Sequence, residues 1–319
     1  MAISFDRNRF LEAPYASGGA VFWLVISLLL YGICRIAMRG SKRQHEERSR
    51  GDVKNMTLEE AYLIKTRITD EFPVVFSSAI NFVFFKAEAI PSIAKLIARS
   101  SPSPSKPPRQ PRRQPVAPAD LLSRPGAPER QAAIDRVNHI HSFYRPSGKM
   151  SDADLLYVLS LFALEPMRWI ARLEGRCLAD EERCALAILW RAVGEELRIP
   201  YDGLPSYVNK GGNSDGDGDG DGFRDALHWL AELEDWGARY EKRNREKSPE
   251  SELLAQRQLD AWVGGVPGLL RPWARGLVAA FIEPGLRQAM GIETPSATAI
   301  FLVETAIRAR KFIRHCFYK

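Results

Sequence analysis

The chain has 319 residues, 45% of them hydrophobic and 26% charged, with a formal net charge of +6. That composition excludes a disordered or collagen-like chain and provides enough apolar surface for one large domain or two small ones. The positive charge gathers after the first apolar run and in a Pro-rich tract, and no basic recognition helix stands out, so nucleic acid is not an expected partner.

The first element is an apolar run of 22 residues without a charge, Ala13 to Cys34. As a helix it spans roughly 33 Å, enough for the hydrocarbon core of a bilayer. It exits into Arg35, Ala37 and Arg39, which is no small-x-small cleavage site, so a transmembrane anchor is preferred to a cleaved signal. Arg35, Arg39, Lys42, Arg43, Arg48, Arg50 and Lys54 follow it, against Arg7 and Arg9 before it. The positive-inside bias then leaves a short lumenal tail at residues 1–12, an anchor at 13–38 and the body in the cytosol.

Downstream, Thr57 and Glu60 have the spacing of a capping box that opens a helix. The apolar stretch Phe72 to Phe85 carries Ser77, Ser78 and Asn81 and is short for a membrane span, so it is expected to be a buried core helix. A short helix from Pro91 to about Arg99 comes next. Residues 101–128 contain nine prolines among Ser and Arg and read as a flexible or polyproline-like insert.

Helical pattern resumes near Glu129, breaks at Pro146-Ser-Gly148 and restarts with Ser151 as a cap. Pro166 is expected to kink or divide that helix. Asp180, Glu181 and Glu182 suit another helix N-terminus. Further helices are expected over Phe223–Arg245, Glu252–Val263, Pro267–Phe281 and Pro295–Arg314, and no strand-like alternation is sustained. The fold class is therefore all-α, with one helical body over 55–319. A second insert at 211–222 includes NSDGDGDGDG, but an EF-hand loop starting at Asp215 or Asp217 would place Ala226 or His228 where Glu is needed, so it reads as a surface insertion.

HExxH, Walker A, GxSxG and GxGxxG are all missing from the sequence. Four cysteines, Cys34, Cys177, Cys184 and Cys316, form no CxxC pair and read as buried or incidental thiols. Trp169, Trp190 and Trp229 read as packing residues. Arg168, Arg172 and Arg176 read as a solvated stripe or as partners of Glu165 and Glu174, and Glu195 and Glu196 as solvent-facing. Wound as a helix, Ile134, Val137, His141 and Tyr144 share a stripe and His139 is turned away. An inward imidazole needs a hydrogen-bond partner or a metal, and the pattern leaves both open.

The run from Arg136 to Pro205, which begins RVNHIHSFYRPSGK, together with the block from Thr57 to Leu96, Phe223–Glu241 and Leu286–Gly291, resembles the catalytic domain shared by the fungal ER-bound mpaB-type oxygenases and the bacterial rubber oxygenases, or latex-clearing proteins. The resemblance implies a globin-like helical body that binds haem b, with His141 as the proximal iron ligand. It also implies a membrane-anchored oxygenase at the endoplasmic reticulum, cleaving a carbon–carbon double bond of a prenyl or terpenoid side chain in secondary metabolism. The family carries a distal Arg and Thr between the blocks matching Leu96 and His141. Here the Pro/Arg/Ser tract fills that interval, and no catalytic residue is assigned. The alternatives are a non-catalytic member that binds haem or a lipophilic ligand, and a membrane-tethered protein presenting the Pro-rich tract to a partner.

Overall fold

The structure, a computed structural model, describes residues 55–100, 118–207 and 222–317. The expected tail and anchor, most of the Pro/Arg/Ser tract and nearly all of the Asp/Gly insert lie outside them. Among the described residues every regular element is helical. Those up to Arg245 form one compact unit and those from Glu246 onward another.

The first unit holds α1 (Leu58–Glu71), α2 (Pro73–Ala87), α3 (Pro91–Ser100), α4 (Pro118–Leu121), α5 (Pro128–Tyr144), α6 (Asp152–Glu174), α7 (Asp180–Glu196) and α8 (Ala226–Asn244). Thr57 caps α1 as its spacing predicts: Glu60 N donates to Thr57 Oγ1 at 3.3 Å and Thr57 N to Glu60 Oε2 at 2.8 Å. Thr57→Ala should lower stability by about 1 kcal/mol, read as a shifted urea midpoint with an unchanged slope.

Pro73 cannot continue α1, and the chain turns by 106° between α1 and α2. No single helix among the described residues is long and apolar enough to cross a membrane. The α2 helix is the expected core helix, with Val75, Phe76, Ala79, Ile80, Val83 and Phe85 buried. It packs along α6, α1 packs along α7, and α8 packs on both α6 and α7. The α6 helix is apolar nearly all round and is buried accordingly.

Of the two outcomes expected at Pro166, a kink or a division, the division does not occur; α6 runs through it to Glu174. Burial of Phe162, Ala163, Leu164, Trp169 and Ile170 on either side outweighs the hydrogen bond that proline removes. Gly175, at φ 68°, then ends the helix in the left-handed conformation. Gly237 lets α8 approach α6 closely, since a Cβ there would sit 2.8 Å from Ser160 Oγ. The three tryptophans are packing residues, as expected: Trp169, Trp190 and Trp229 are all buried. The tract expected to be irregular through residue 128 already contains α4, where Leu121 and Leu122 are buried.

The second unit holds α9 (Pro249–Val263), a 3-10 turn (Gly268–Leu270), α10 (Arg271–Phe281), α11 (Pro284–Ala289) and α12 (Ala297–Phe317). Packing joins α10 to both α9 and α12. Arg287 ties α10 to α11, donating to the carbonyls of Ala279 at 3.0 Å and Ile282 at 2.6 Å.

Candidate functional site

The α5 helix starts with Pro128 at its first turn and stops where Pro146 follows Arg145. Ala133 and Ile134 are buried, Val137, His141 and Tyr144 half-buried, and His139 exposed. The two histidines thus lie on the sides that helical spacing predicts. His139 lies edge-on to Phe143 at 4.9 Å between ring centroids.

Three side chains fasten α5 to the C-terminal end of α7. Arg130, itself buried, gives both Glu196 carboxylate oxygens a hydrogen bond, at 2.7 and 2.9 Å, and its Nε donates to Leu121 O at 3.2 Å. Asn138 Nδ2 donates to Glu196 O at 3.0 Å. Arg145 donates to Arg198 O at 2.9 Å and to Asp152 Oδ1 at 2.7 Å. Glu196 is therefore an ion-pair partner rather than a solvent-facing carboxylate; Glu195 is exposed and pairs with Arg191 at 3.1 Å. Arg198 has φ 53°, a left-handed conformation that a non-glycine residue holds only at a cost of about 1–2 kcal/mol.

At about 100° per residue, His141 falls between the directions of Val137 and Arg145, inside the arc that these grips enclose. Its Nδ1 is buried and meets no hydrogen-bond partner among the described residues. Burial, and then the positive charge of Arg145, lower its pKa to about 4, so the imidazole is neutral at physiological pH. An imidazole so placed has a nitrogen that the protein leaves uncommitted, which is costly unless a ligand takes it.

The pKa has a measurable consequence in the haem-free chain. Between about pH 6.5 and 4 the unfolded state binds a proton at His141 that the folded state does not. Stability contributed by this site is thus complete above pH 6.5 and is lost as pH falls toward 4. Urea midpoints taken from pH 7.5 to 4.5 should fall more steeply for the wild type than for His141→Gln.

Among the described residues the other histidines are engaged or exposed. His228 Nδ1 accepts from Arg224 N at 3.2 Å and its Nε2 lies 3.2 Å from Glu232 Oε1; His315 is exposed on α12. Cys184 is buried, with its thiol pushed up to about 11 by that burial, and Cys177 and Cys316 are exposed. Among the described residues no three His, Cys, Asp or Glu side chains converge as a metal site.

A second constellation is not apparent from helical spacing. Lys86, Glu165 and Glu241 meet in the interior, with Lys86 Nζ 3.0 Å from Glu165 and 3.5 Å from Glu241. Arg168 joins Glu165 to Glu234 at 3.2 and 3.0 Å, and Arg245 pairs with Glu241. Arg168 thus finds Glu165 as expected, whereas Arg176 pairs with Glu182 and Glu71 rather than Glu174. Nearby, buried Asp154 accepts from Ser92, Ser151 and Tyr240 at 2.7, 2.7 and 2.8 Å. The hydroxyl of Tyr157, whose ring lies 5.2 Å from that of Tyr240, is held well above its ordinary pKa by burial and by the charges of Glu241 and Glu165. The available signal was chemical: Lys86 and Glu165 each interrupt an otherwise apolar run, and a charge inside a core helix needs a partner.

Residues 121–314 match the family described as ER-bound oxygenase mpaB/B'/Rubber oxygenase, catalytic domain, a span that includes His141. The chain is 31% identical over 318 residues to the ER-bound oxygenase mpaB' of Penicillium brevicompactum, covering 98% of this chain and 71% of the relative. It is 33% identical over 248 residues to the ER-bound oxygenase mpaB of Penicillium roqueforti (strain FM164), covering 76% and 78%. Identity to mpaB of Penicillium brevicompactum is 34% over 209 residues, 64% of this chain and 50% of the relative. No solved structure matches. By that coverage and identity, the chain belongs to the family of ER-bound mpaB/B' oxygenases and rubber oxygenases.

Proposed function

We propose that this chain is a membrane-anchored, haem-dependent oxygenase that cleaves a carbon–carbon double bond of a prenyl or terpenoid side chain in secondary metabolism at the endoplasmic reticulum. Its relatives are named ER-bound oxygenases, and the apolar run Ala13–Cys34 with its downstream Lys and Arg supplies the anchor and the cytosolic orientation. The observation that carries the reading is the buried Nδ1 of His141, which no described protein group engages.

The residues present fit haem. Haem would bring its own nitrogen donors and would need one ligating side chain from the protein, so a single neutral histidine would suffice where no cluster of ligands exists among the described residues. Haem, when bound, supplies the binding and activation of dioxygen. The chain's contribution is to keep His141 uncharged by burial and by the nearby Arg145 charge, and to hold its helix by the Arg130, Asn138 and Arg145 grips. Val137, half-buried one turn before His141, is an apolar side chain on the same helix face.

Titrating the purified full-length chain with haemin tests the reading directly. A Soret band saturating at one haem per chain is the expected result. A chain that takes up no haem under folding conditions ends the oxygenase proposal in favour of a lipophilic-ligand carrier of the same fold.

A further inference from the structure

Two cations are buried among the described residues, Lys86 and Arg130, at 7% and 6% exposure. Their surroundings satisfy them unequally. Lys86 Nζ has two carboxylates, Glu165 and Glu241, at 3.0 and 3.5 Å. Arg130 has one carboxylate and one carbonyl: its Nη1 donates to both Glu196 oxygens and its Nε to Leu121 O. Its Nη2 is buried and meets no acceptor among the described residues. A guanidinium carries its N–H groups in a planar fork, so the pair on Nη2 is left over. A charged donor kept from water without an acceptor is destabilising, and the group that best fits such an edge is a carboxylate.

Arg130 and His141 are eleven residues apart, which on a helix sets them about 20° apart around the axis and roughly 16 Å apart along it. Asn138, about 12 Å along the axis from Arg130, bonds the carbonyl of the same Glu196 whose carboxylate Arg130 holds. The guanidinium is thereby drawn along α5 toward His141. One face of this helix thus carries two buried polar atoms that no described residue meets, Arg130 Nη2 and His141 Nδ1. The first turn of α5 favours an anion at the Arg130 end, because no side chain caps it and the acid within it, Glu129, is exposed. Glu196 already balances the charge of Arg130, so what Nη2 offers a ligand is a hydrogen-bonding edge rather than a surplus of charge.

We propose that Arg130 is a carboxylate anchor whose Nη2 edge receives a carboxylate of the ligand bound along this face of α5. A porphyrin propionate and a lipophilic isoprenoid acid offer the same group. The identity of the ligand rests on the function proposed above, whereas the site rests on the unmet guanidinium edge alone.

Arg130→Gln alone would strand Glu196, so the test compares three full-length proteins: wild type, Glu196→Gln, and Arg130→Gln combined with Glu196→Gln. Both variants lack the ion pair and they differ only in the guanidinium. Each protein is titrated with haemin and haemin dimethyl ester, followed at the Soret band, and with geranic acid and methyl geranate, followed by calorimetry. In wild type and Glu196→Gln the acid of at least one pair should bind about tenfold or more tightly than its ester, as expected of a charge-assisted hydrogen bond. In the double variant that ratio should fall to near one by loss of acid affinity, with ester affinity unchanged. A difference in the haemin pair identifies a propionate as the anchored group. A difference in the geranic pair alone, in a chain that takes up no haem, ends the haem reading and keeps the anchor. Haem uptake with equal affinity for acid and ester, and no preference in the geranic pair, leaves the haem reading standing and overturns the anchor. The anchor is also overturned by a chain that prefers neither acid, by an acid preference that the double variant retains, or by a double variant that loses acid and ester alike, which marks a structural role.

Discussion

His141→Ala should abolish the Soret band of the haem-loaded chain, while His139→Ala should leave it largely intact. The two side chains sit two residues apart and leave the helix about 160° apart, so one porphyrin cannot be shared between them. His139 is exposed against Phe143, whereas His141 is half-buried with an unengaged Nδ1. Replacing His141 also removes a buried polar atom that has no partner among the described residues, so the apo variant should fold at least as well as the wild type. Loss of haem is then a ligand effect and not an unfolding effect. Circular dichroism and urea midpoints of the apo proteins separate the two, and added imidazole should restore part of the band by standing in for the missing side chain. An unchanged spectrum in His141→Ala would remove the proximal assignment.

The second large effect is expected at Lys86. Its ammonium is almost fully buried between Glu165 and Glu241, and Lys86→Met would leave their shared negative charge short of one cation. Arg168 and Arg245 each still hold one of these carboxylates, yet breaking a buried pair from one side costs about 3–5 kcal/mol, because the remaining charge stays out of water. The double replacement Lys86→Met with Glu165→Leu should recover part of that loss, since it removes both members of the shorter contact. Urea denaturation of the wild type, both single variants and the double variant closes the cycle. A loss below about 1 kcal/mol for Lys86→Met would show that water reaches the cluster.

Most of the helices were legible because their punctuation is local. Thr57, Pro91, Ser151 and the acidic start of α7 each act within one turn, and each stands where its spacing predicts. The sidedness of His141 was legible for the same reason, since helical periodicity needs no knowledge of neighbours. What escaped was set by partners far along the chain. Pro166 sits in a helix whose continuity depends on the burial around it. Glu196 looks like a surface carboxylate until Arg130, sixty-six residues earlier, comes to lie against it. The meeting of Lys86 with Glu165 spans seventy-nine residues.

The grips of Arg130, Asn138 and Arg145 act along α5 and its C-cap and converge on a three-residue stretch, Glu196 to Arg198. A helix held at one point can swivel about its long axis; one held at three points along its length resists torsion. The heading of the His141 imidazole is in that sense dictated by the end of α7 and the left-handed turn of Arg198. Length changes in the Pro/Arg/Ser tract upstream leave this bearing untouched, whereas a single residue added between Glu196 and Arg198 would displace part of it by about 3.8 Å and turn the imidazole off its line.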